Sequence, residues 1–282
     1  MRYDLVLLDF DGTFTDVEKE AGPFFEAYLS DVREILGPGF ESDWDEATAI
    51  MSEDPANHGW LHEGRIVAPG NADPYLRATV VINMVLDRRG LYLDGNARTD
   101  LLQKLYHRNY PKADTVFRSD AKRVVEALLA SGIPTFVVTN SATDDVQRKI
   151  DKLAPTGRER LTVHGNAKKF FVVDPQPNDA RFEALPPTMA VEGLERPIYV
   201  RRGCYYEVLR GIWEKTGIAP ERTLVAGDIF ELDLALPAHL GAHVQLVLKE
   251  KTEAFERRAI AQLANADASE DLGGILRRVG LV

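Results

Sequence analysis

Short runs of consecutive apolar residues, rich in β-branched side chains, recur along the chain. They lie in "DLVLLDF" (4–10), "IPTFVVTN" (133–140), "RLTVHG" (160–165), "RTLVAGD" (222–228) and "AHVQLVL" (242–248). They are near-continuous rather than alternating, the pattern of strands buried on both faces of a parallel sheet. Helical spacing fills the intervals. In "SDAKRVVEALLASG" (119–132), Val124, Val125, Leu128 and Leu129 form one stripe, Ser119 or Asp120 can cap its start, and Gly132 can close it. The stretch "YYEVLRGIWEKTG" (205–217) repeats the pattern and again ends in glycine. Alternating strands and helices predict right-handed βαβ units and a three-layer α/β, Rossmann-like core around a central parallel sheet.

Residues 14–115 break this rhythm. "GPFFEAYLSDVREILG", "DPYLRATVVINMVLDRRG" and "TDLLQKLYHRNY" read as amphipathic helices, with a loop-like stretch "ANHGWLHEGRIVAPG" among them. The expected organisation is a discontinuous core, 1–15 and 115–282, interrupted by a mainly α-helical cap domain at 16–114. A second excursion near 170–200 contains "DPQPNDARFEALPPT", too proline-rich for a helix, and reads as a smaller insert with hairpin elements.

Composition narrows the function classes. With 45% hydrophobic and 28% charged residues, the chain is an ordinary globular one. No apolar stretch approaches the roughly 20 residues that span a bilayer. The opening "MRYDLVLLDFDG" reaches carboxylates too soon for a secretory signal. A single cysteine, Cys204, excludes internal disulfides and cysteine-based zinc sites, so a cytoplasmic protein is expected. A net charge of -10 disfavours nucleic acid as a partner, because the basic pairs are scattered among acids.

Ligands of open α/β sheets sit beyond the carboxyl ends of the strands. The first run is followed by Asp9 and Asp11, the second by Thr139-Asn140-Ser141, the third by Gly165-Asn166-Ala167-Lys168-Lys169, and the fourth by Gly227-Asp228 with Asp233 beyond. Each alone reads as a turn or a helix cap. Together they would gather four carboxylates around one spot, which is electrostatically untenable without a cation. Hard oxygen donors without thiolates point to Mg²⁺. His58 and His62 have ligand-like spacing, but their loop setting makes surface histidines the better reading.

"DFDGT", an inserted cap, "VVTNS", a basic residue and then "VAGDIFELD" resemble the haloacid dehalogenase (HAD) superfamily of phosphotransferases. The resemblance covers the core, about 1–16 and 115–250. It implies Asp9 as the nucleophile that forms an aspartyl-phosphate, and Asp11 as the acid and base. It implies phosphoryl binding by Thr139 and the Asn140 backbone N–H. Magnesium would be held by Asp9, Asp11 through its backbone carbonyl, Asp228 and Asp233.

The same resemblance expects a basic residue beside the phosphoryl group, commonly in Lys-Pro. This chain has "YVRRGCYYEVL" at that place, so Lys168 and Lys169 compete with Arg201 and Arg202 as phosphate binders. An acid at position 11 disfavours a dehalogenase, and the lysine-poor cap disfavours a phosphonatase. The expected function is a Mg²⁺-dependent phosphohydrolase of a small phosphorylated metabolite, with the cap excluding water from the catalytic face. A phosphomutase, or a non-catalytic binding protein that keeps the fold, stands as the alternative. Trp60, His62 and Arg65 are candidate substrate contacts, set against packing for Trp60 and solvation for the other two.

Overall fold

A computed structural model describes residues 3–282. The described chain contains ten short strands: β1 (Leu5–Leu8), β2 (Gly59–His62), β3 (Arg65–Pro69), β4 (Thr135–Val138), β5 (Thr162–His164), β6 (Thr188–Met189), β7 (Ile198–Tyr199), β8 (Thr223–Gly227), β9 (His243–Val247) and β10 (Ala266–Ser269). Six form one sheet in the order β10-β9-β8-β1-β4-β5. Every pairing in it is parallel. Helices flank this sheet, as the alternating pattern predicts.

Burial grades outward from the sheet centre. All residues of β1, β4 and β8 are buried, whereas β5 and β10 at the edges are half exposed. Strand β10, "ADAS", has no apolar run to betray it and was not anticipated. Parallel pairing places the carboxyl ends of β8, β1 and β4 side by side, with Leu8 opposite Ala226 and Val137. The helix Ala121–Ser131 buries the predicted stripe and ends on Gly132 at φ 76°. Its Asp120 does not cap it; the carboxylate accepts the Leu272 N–H at 3.1 Å instead.

The chain divides into two compact units, one of residues 1–15 and 117–282 and the other of 16–116. The second unit carries four long helices, Gly22–Leu36, Phe40–Glu53, Pro74–Arg89 and Gly95–Asn109. They close over an aromatic-rich core that includes Phe24, Tyr28, Phe40 and Met51. The segment around Trp60 is not a loop, as the sequence suggests, but the antiparallel hairpin β2–β3. Its turn residues Glu63 and Gly64 both have positive φ, the signature of a two-residue hairpin turn. Trp60 and His62 are half-buried on this hairpin, and Arg65 is exposed beside Glu63. His58 Nδ1 lies 2.9 Å from the Asp54 carbonyl, a local contact.

The 170–200 excursion contains a short helix, Ala180–Glu183, and the two-stranded β6–β7 ribbon. No described helix is long and apolar enough to cross a membrane.

One buried carboxyl in the first unit marks the fold's pH response. Glu256 accepts the Phe230 N–H at 2.8 Å and the Glu253 N–H at 3.2 Å. Burial nevertheless pushes it up from 4.5 to about 8. A raised folded-state value means that Glu256 stabilises the fold below about pH 4.5 and loses that contribution as pH rises through 8. Over that window the slope is at most roughly 1.4 kcal/mol per pH unit. Thermal melts of the wild type and Glu256→Gln from pH 5 to 8.5 should converge at low pH, with the wild type falling behind as pH rises. A parallel pair of curves would refute the assignment.

Candidate active site

Strand β1 ends where Asp9 begins, and the Asp9 N–H still pairs with the Ala226 carbonyl of β8 at 2.8 Å. Its side chain therefore starts from a rigid backbone at the centre of the sheet. Asp228 follows β8 directly, and Asp233 lies in the π-helical turn Phe230–Leu234. Ligand oxygens of Asp9, Asp228 and Asp233 lie within 4.8 Å of one another, and all three residues are buried. Among the described residues no other cluster of three metal-ligating side chains occurs.

Three carboxylates in an apolar setting repel one another and resist ionisation. Burial first, then Asp233 and Asp228, hold the Asp9 carboxyl well above the usual carboxylate range, against the pull of Lys169. Burial raises Asp233 likewise, opposed by Lys169. The counter-charge is Lys169, whose Nζ is 2.7 Å from Asp9 Oδ1 and 2.8 Å from Asp233 Oδ1. Burial alone would discharge this ammonium, but Asp233 and Asp9 outweigh it and hold it protonated.

The remaining oxygens also have donors. Thr13 Oγ1 bridges Asp9 Oδ2 at 3.2 Å and Asp228 Oδ1 at 2.9 Å. The Ile229 N–H donates to Asp233 Oδ2 at 3.0 Å, and Lys249 forms an ion pair with Asp228 Oδ2. The set is made of hard oxygen donors, with no thiolate or imidazole among them. It fits a divalent cation such as Mg²⁺.

The structure separates the four basic candidates. Lys169 alone reaches the carboxylates. Lys168, at φ 48°, carries its Nζ over the Phe171 ring instead. Arg201 donates to the Leu185 and Glu183 carbonyls, so it holds the 170–200 excursion rather than phosphate. Arg202 is fully buried and donates to the Tyr199 and Lys169 carbonyls at 3.1 and 2.9 Å. Burial lowers it to about 10. Its place is beneath Lys169, not at the phosphate.

Asn140 contributes from the other side, its Oδ1 accepting the Lys169 N–H at 2.7 Å. Two flanking side chains thus fix the backbone that aims Lys169. The Thr139 hydroxyl is buried at the end of β4 and accepts the Ser141 N–H at 3.2 Å.

The expected convergence of four carboxylates is corrected at Asp11. Its side chain leaves the cluster: Lys149 Nζ sits 2.6 Å from Oδ1, and Ser141 Oγ donates to Oδ2 at 2.6 Å. A cation held by this residue would have to meet its backbone carbonyl, not its carboxylate. Thr13, Lys149 and Lys249 were not anticipated as site residues. Lys249 follows β9 as directly as Asp9 follows β1, so the strand-end rule would have found it there. Lys149 lies inside the helix Thr143–Leu153, where nothing in the local pattern distinguishes it.

Two further devices support the cluster. Arg196 binds the fully buried Glu231 with both guanidinium nitrogens, at 2.9 and 2.5 Å. This bidentate pair ties the 170–200 excursion to the turn that carries Asp233. Tyr205 donates to the Asp233 carbonyl at 3.0 Å, and its ring lies 5.4 Å from Lys169 Nζ.

No protein-family model and no curated protein matches the chain. Solved structures do match it. The HAD-hydrolase candidate YfnB of Bacillus subtilis, solved with magnesium, aligns over 99% of this chain and 100% of its own, at 12% identity and TM-score 0.56. A β-phosphoglucomutase candidate from Thermotoga maritima aligns over 100% of both chains at 14% identity and TM-score 0.54. A phosphoglycolate phosphatase candidate from Haemophilus somnus 129pt covers 99% of this chain and 98% of its own, at 15% identity and TM-score 0.52. The chain has the haloacid dehalogenase-like fold.

Gly12 shows how closely the motif is built. It has φ +86°, and a Cβ there would lie 2.3 Å from Asp228 Oδ2. Gly64 has a similar φ, +73°, with nothing within 4 Å. Gly12→Ala should therefore cost about 1–3 kcal/mol, and Gly64→Ala about 1 kcal/mol or less. Equal losses in chemical denaturation would show that the approach to Asp228 carries no cost.

Proposed function

We propose that the protein is a Mg²⁺-dependent phosphohydrolase acting on a small phosphorylated metabolite through an aspartyl-phosphate on Asp9. The observation that carries this reading is the buried Asp9, Asp228 and Asp233 cluster with Lys169 inserted into it, at the carboxyl ends of adjacent parallel strands. Likeness of fold to solved magnesium-bound and phosphatase-type structures supports it.

Asp9 would attack phosphorus with one carboxylate oxygen while the bond to the leaving alkoxide breaks. Protonated Asp11 supplies the proton that the leaving oxygen needs. The Asp11 carboxylate then takes a proton from water, the hydroxide attacks phosphorus, and the acyl-phosphate bond breaks to free inorganic phosphate and Asp9. To reach the leaving oxygen, Asp11 exchanges its contacts with Lys149 and Ser141 for the substrate. Lys169 stays beside Asp9 and offsets the charge of the phosphoryl oxygens. Thr13 fixes the rotamer of Asp9, and Thr139 with the Asn140 N–H lies where phosphoryl oxygens are expected. Magnesium, held by Asp9, Asp228 and the Asp11 carbonyl, with Asp233 in support, would supply Lewis-acid stabilisation of the phosphoryl charge.

The insertion of a whole compact unit, 16–116, directly after the Asp9 motif supports a small substrate over a protein-borne phosphate. The acid at Asp11 favours phosphate-ester chemistry over dehalogenation, which has no leaving alkoxide to protonate.

Asp9→Asn should fold as the wild type by circular dichroism. It should lose Mg²⁺-dependent hydrolysis of a generic aryl phosphate by on the order of 10³-fold or more. Retained turnover would sink the mechanism. A release of inorganic phosphate that fails to match alcohol release would instead favour a phosphomutase.

A further inference from the structure

We infer that Lys249 is a built-in counter-cation of the metal site, which a divalent cation must outcompete for Asp228 and which thereby sets the affinity of the site. The inference rests on the Mg²⁺ reading above and deepens it.

Each of the six carboxylate oxygens of Asp9, Asp228 and Asp233 already has a protein donor. Lys169 takes one oxygen of Asp9 and one of Asp233, and Thr13 takes one of Asp9 and one of Asp228. The Ile229 N–H takes the second oxygen of Asp233. The second oxygen of Asp228 belongs to Lys249. An incoming cation therefore displaces a donor wherever it binds.

The donors differ in how readily they yield. Thr13 is fully buried beside Asp9, the Ile229 N–H is fixed backbone, and Lys169 is clamped by Asn140 and Arg202. Lys249 is the exchangeable one. It stands after β9, where its N–H is held by Thr252 Oγ1 at 2.7 Å, while its side chain remains 11% exposed. Four single bonds separate that anchored backbone from the ammonium, so the head can move without disturbing the strand.

The charge arithmetic points the same way. Three carboxylates against two ammonium groups leave the cluster one negative charge short of neutral. Removing Lys249 leaves it two charges short, and a buried divalent cation responds strongly to that difference. Asp228 keeps its bond from Thr13 in either case. Its carboxylate therefore remains placed to bind when Lys249 is gone.

Isothermal titration of the full-length protein with MgCl₂ tests this directly. Lys249→Met should bind Mg²⁺ at least about tenfold more tightly than the wild type. In the same comparison its metal-free form should melt at a lower temperature, and the stabilisation by Mg²⁺ should be larger. Lys249→Arg keeps the charge and should stay close to the wild type. If Lys249→Met binds with equal or weaker affinity, Lys249 positions Asp228 rather than competing for it, and the inference falls. Should Lys249→Met fail to fold, Lys249→Gln carries the same expectation, and unchanged affinity in it is equally fatal. A wild type that binds no divalent cation would remove the Mg²⁺ reading and this inference together. Binding in the wild type with no change in either variant removes this inference alone.

Discussion

The structure turns on one ammonium group. Lys169 places a positive charge between Asp9 and Asp233 in a space where burial pushes both carboxyls towards their neutral forms. Without a cation, at least one of these carboxyls would take up a proton, and a protonated Asp9 is no nucleophile. Much of the surrounding sequence serves that placement. Asn140 and Arg202 grip the Lys169 backbone from opposite sides, and Tyr205 lays its ring against the ammonium while holding the Asp233 carbonyl. Removing one partner of such a buried set leaves the others charged and unpaired, which costs far more than the pair itself contributes.

Sheet order explains how residues so distant in sequence come to share that space. The central strand β1 has β8 on one side and β4 on the other, all parallel, so the segments after each strand emerge at one edge. Asp9 is thereby flanked by Asp228 from β8 and by Thr139 and Asn140 from β4. Strand β5, beyond β4, sends Lys169 back across the edge through a loop with positive φ at Asn166 and Lys168. The glycine after Asp11 completes the approach, since any larger residue would collide with Asp228.

Legibility in the sequence follows burial. Strands β1, β4 and β8 are sealed on both faces, so their composition is forced to be apolar, and the residues that follow them stand out. At the edges the constraint lapses: β10 reads as "ADAS" and leaves no signal. The hairpin β2–β3 hides for another reason, because its turn is Glu-Gly rather than the usual Asn-Gly. The helix Phe40–Glu53 buries only Phe40, Ala47 and Met51, too thin a stripe to distinguish it from a polar linker. In the site, Asp9, Asp228 and Asp233 are legible because they directly follow central strands or share one motif. The contest among Lys168, Lys169, Arg201 and Arg202 is decided by backbone torsion and burial. One residue of slip in the loop sends Lys168 to Phe171 and Lys169 to Asp9.

The two carboxylates of "DFDGT" then divide by environment rather than by type. Asp9 sits on the rigid end of β1 and is engaged on both oxygens within the buried cluster. Asp11, two residues on, is more exposed, with 23% of its side chain accessible against 10% for Asp9. Its partners, Lys149 and Ser141, stand outside that cluster. A nucleophile gains from immobility, because its geometry must match a single attack trajectory. An acid that later serves as base has to meet a leaving oxygen and then a water, so a looser setting at the margin suits it. In this reading Gly12, held at positive φ against Asp228, does more than permit a turn. It marks the boundary between the fixed half of the motif and the half that moves.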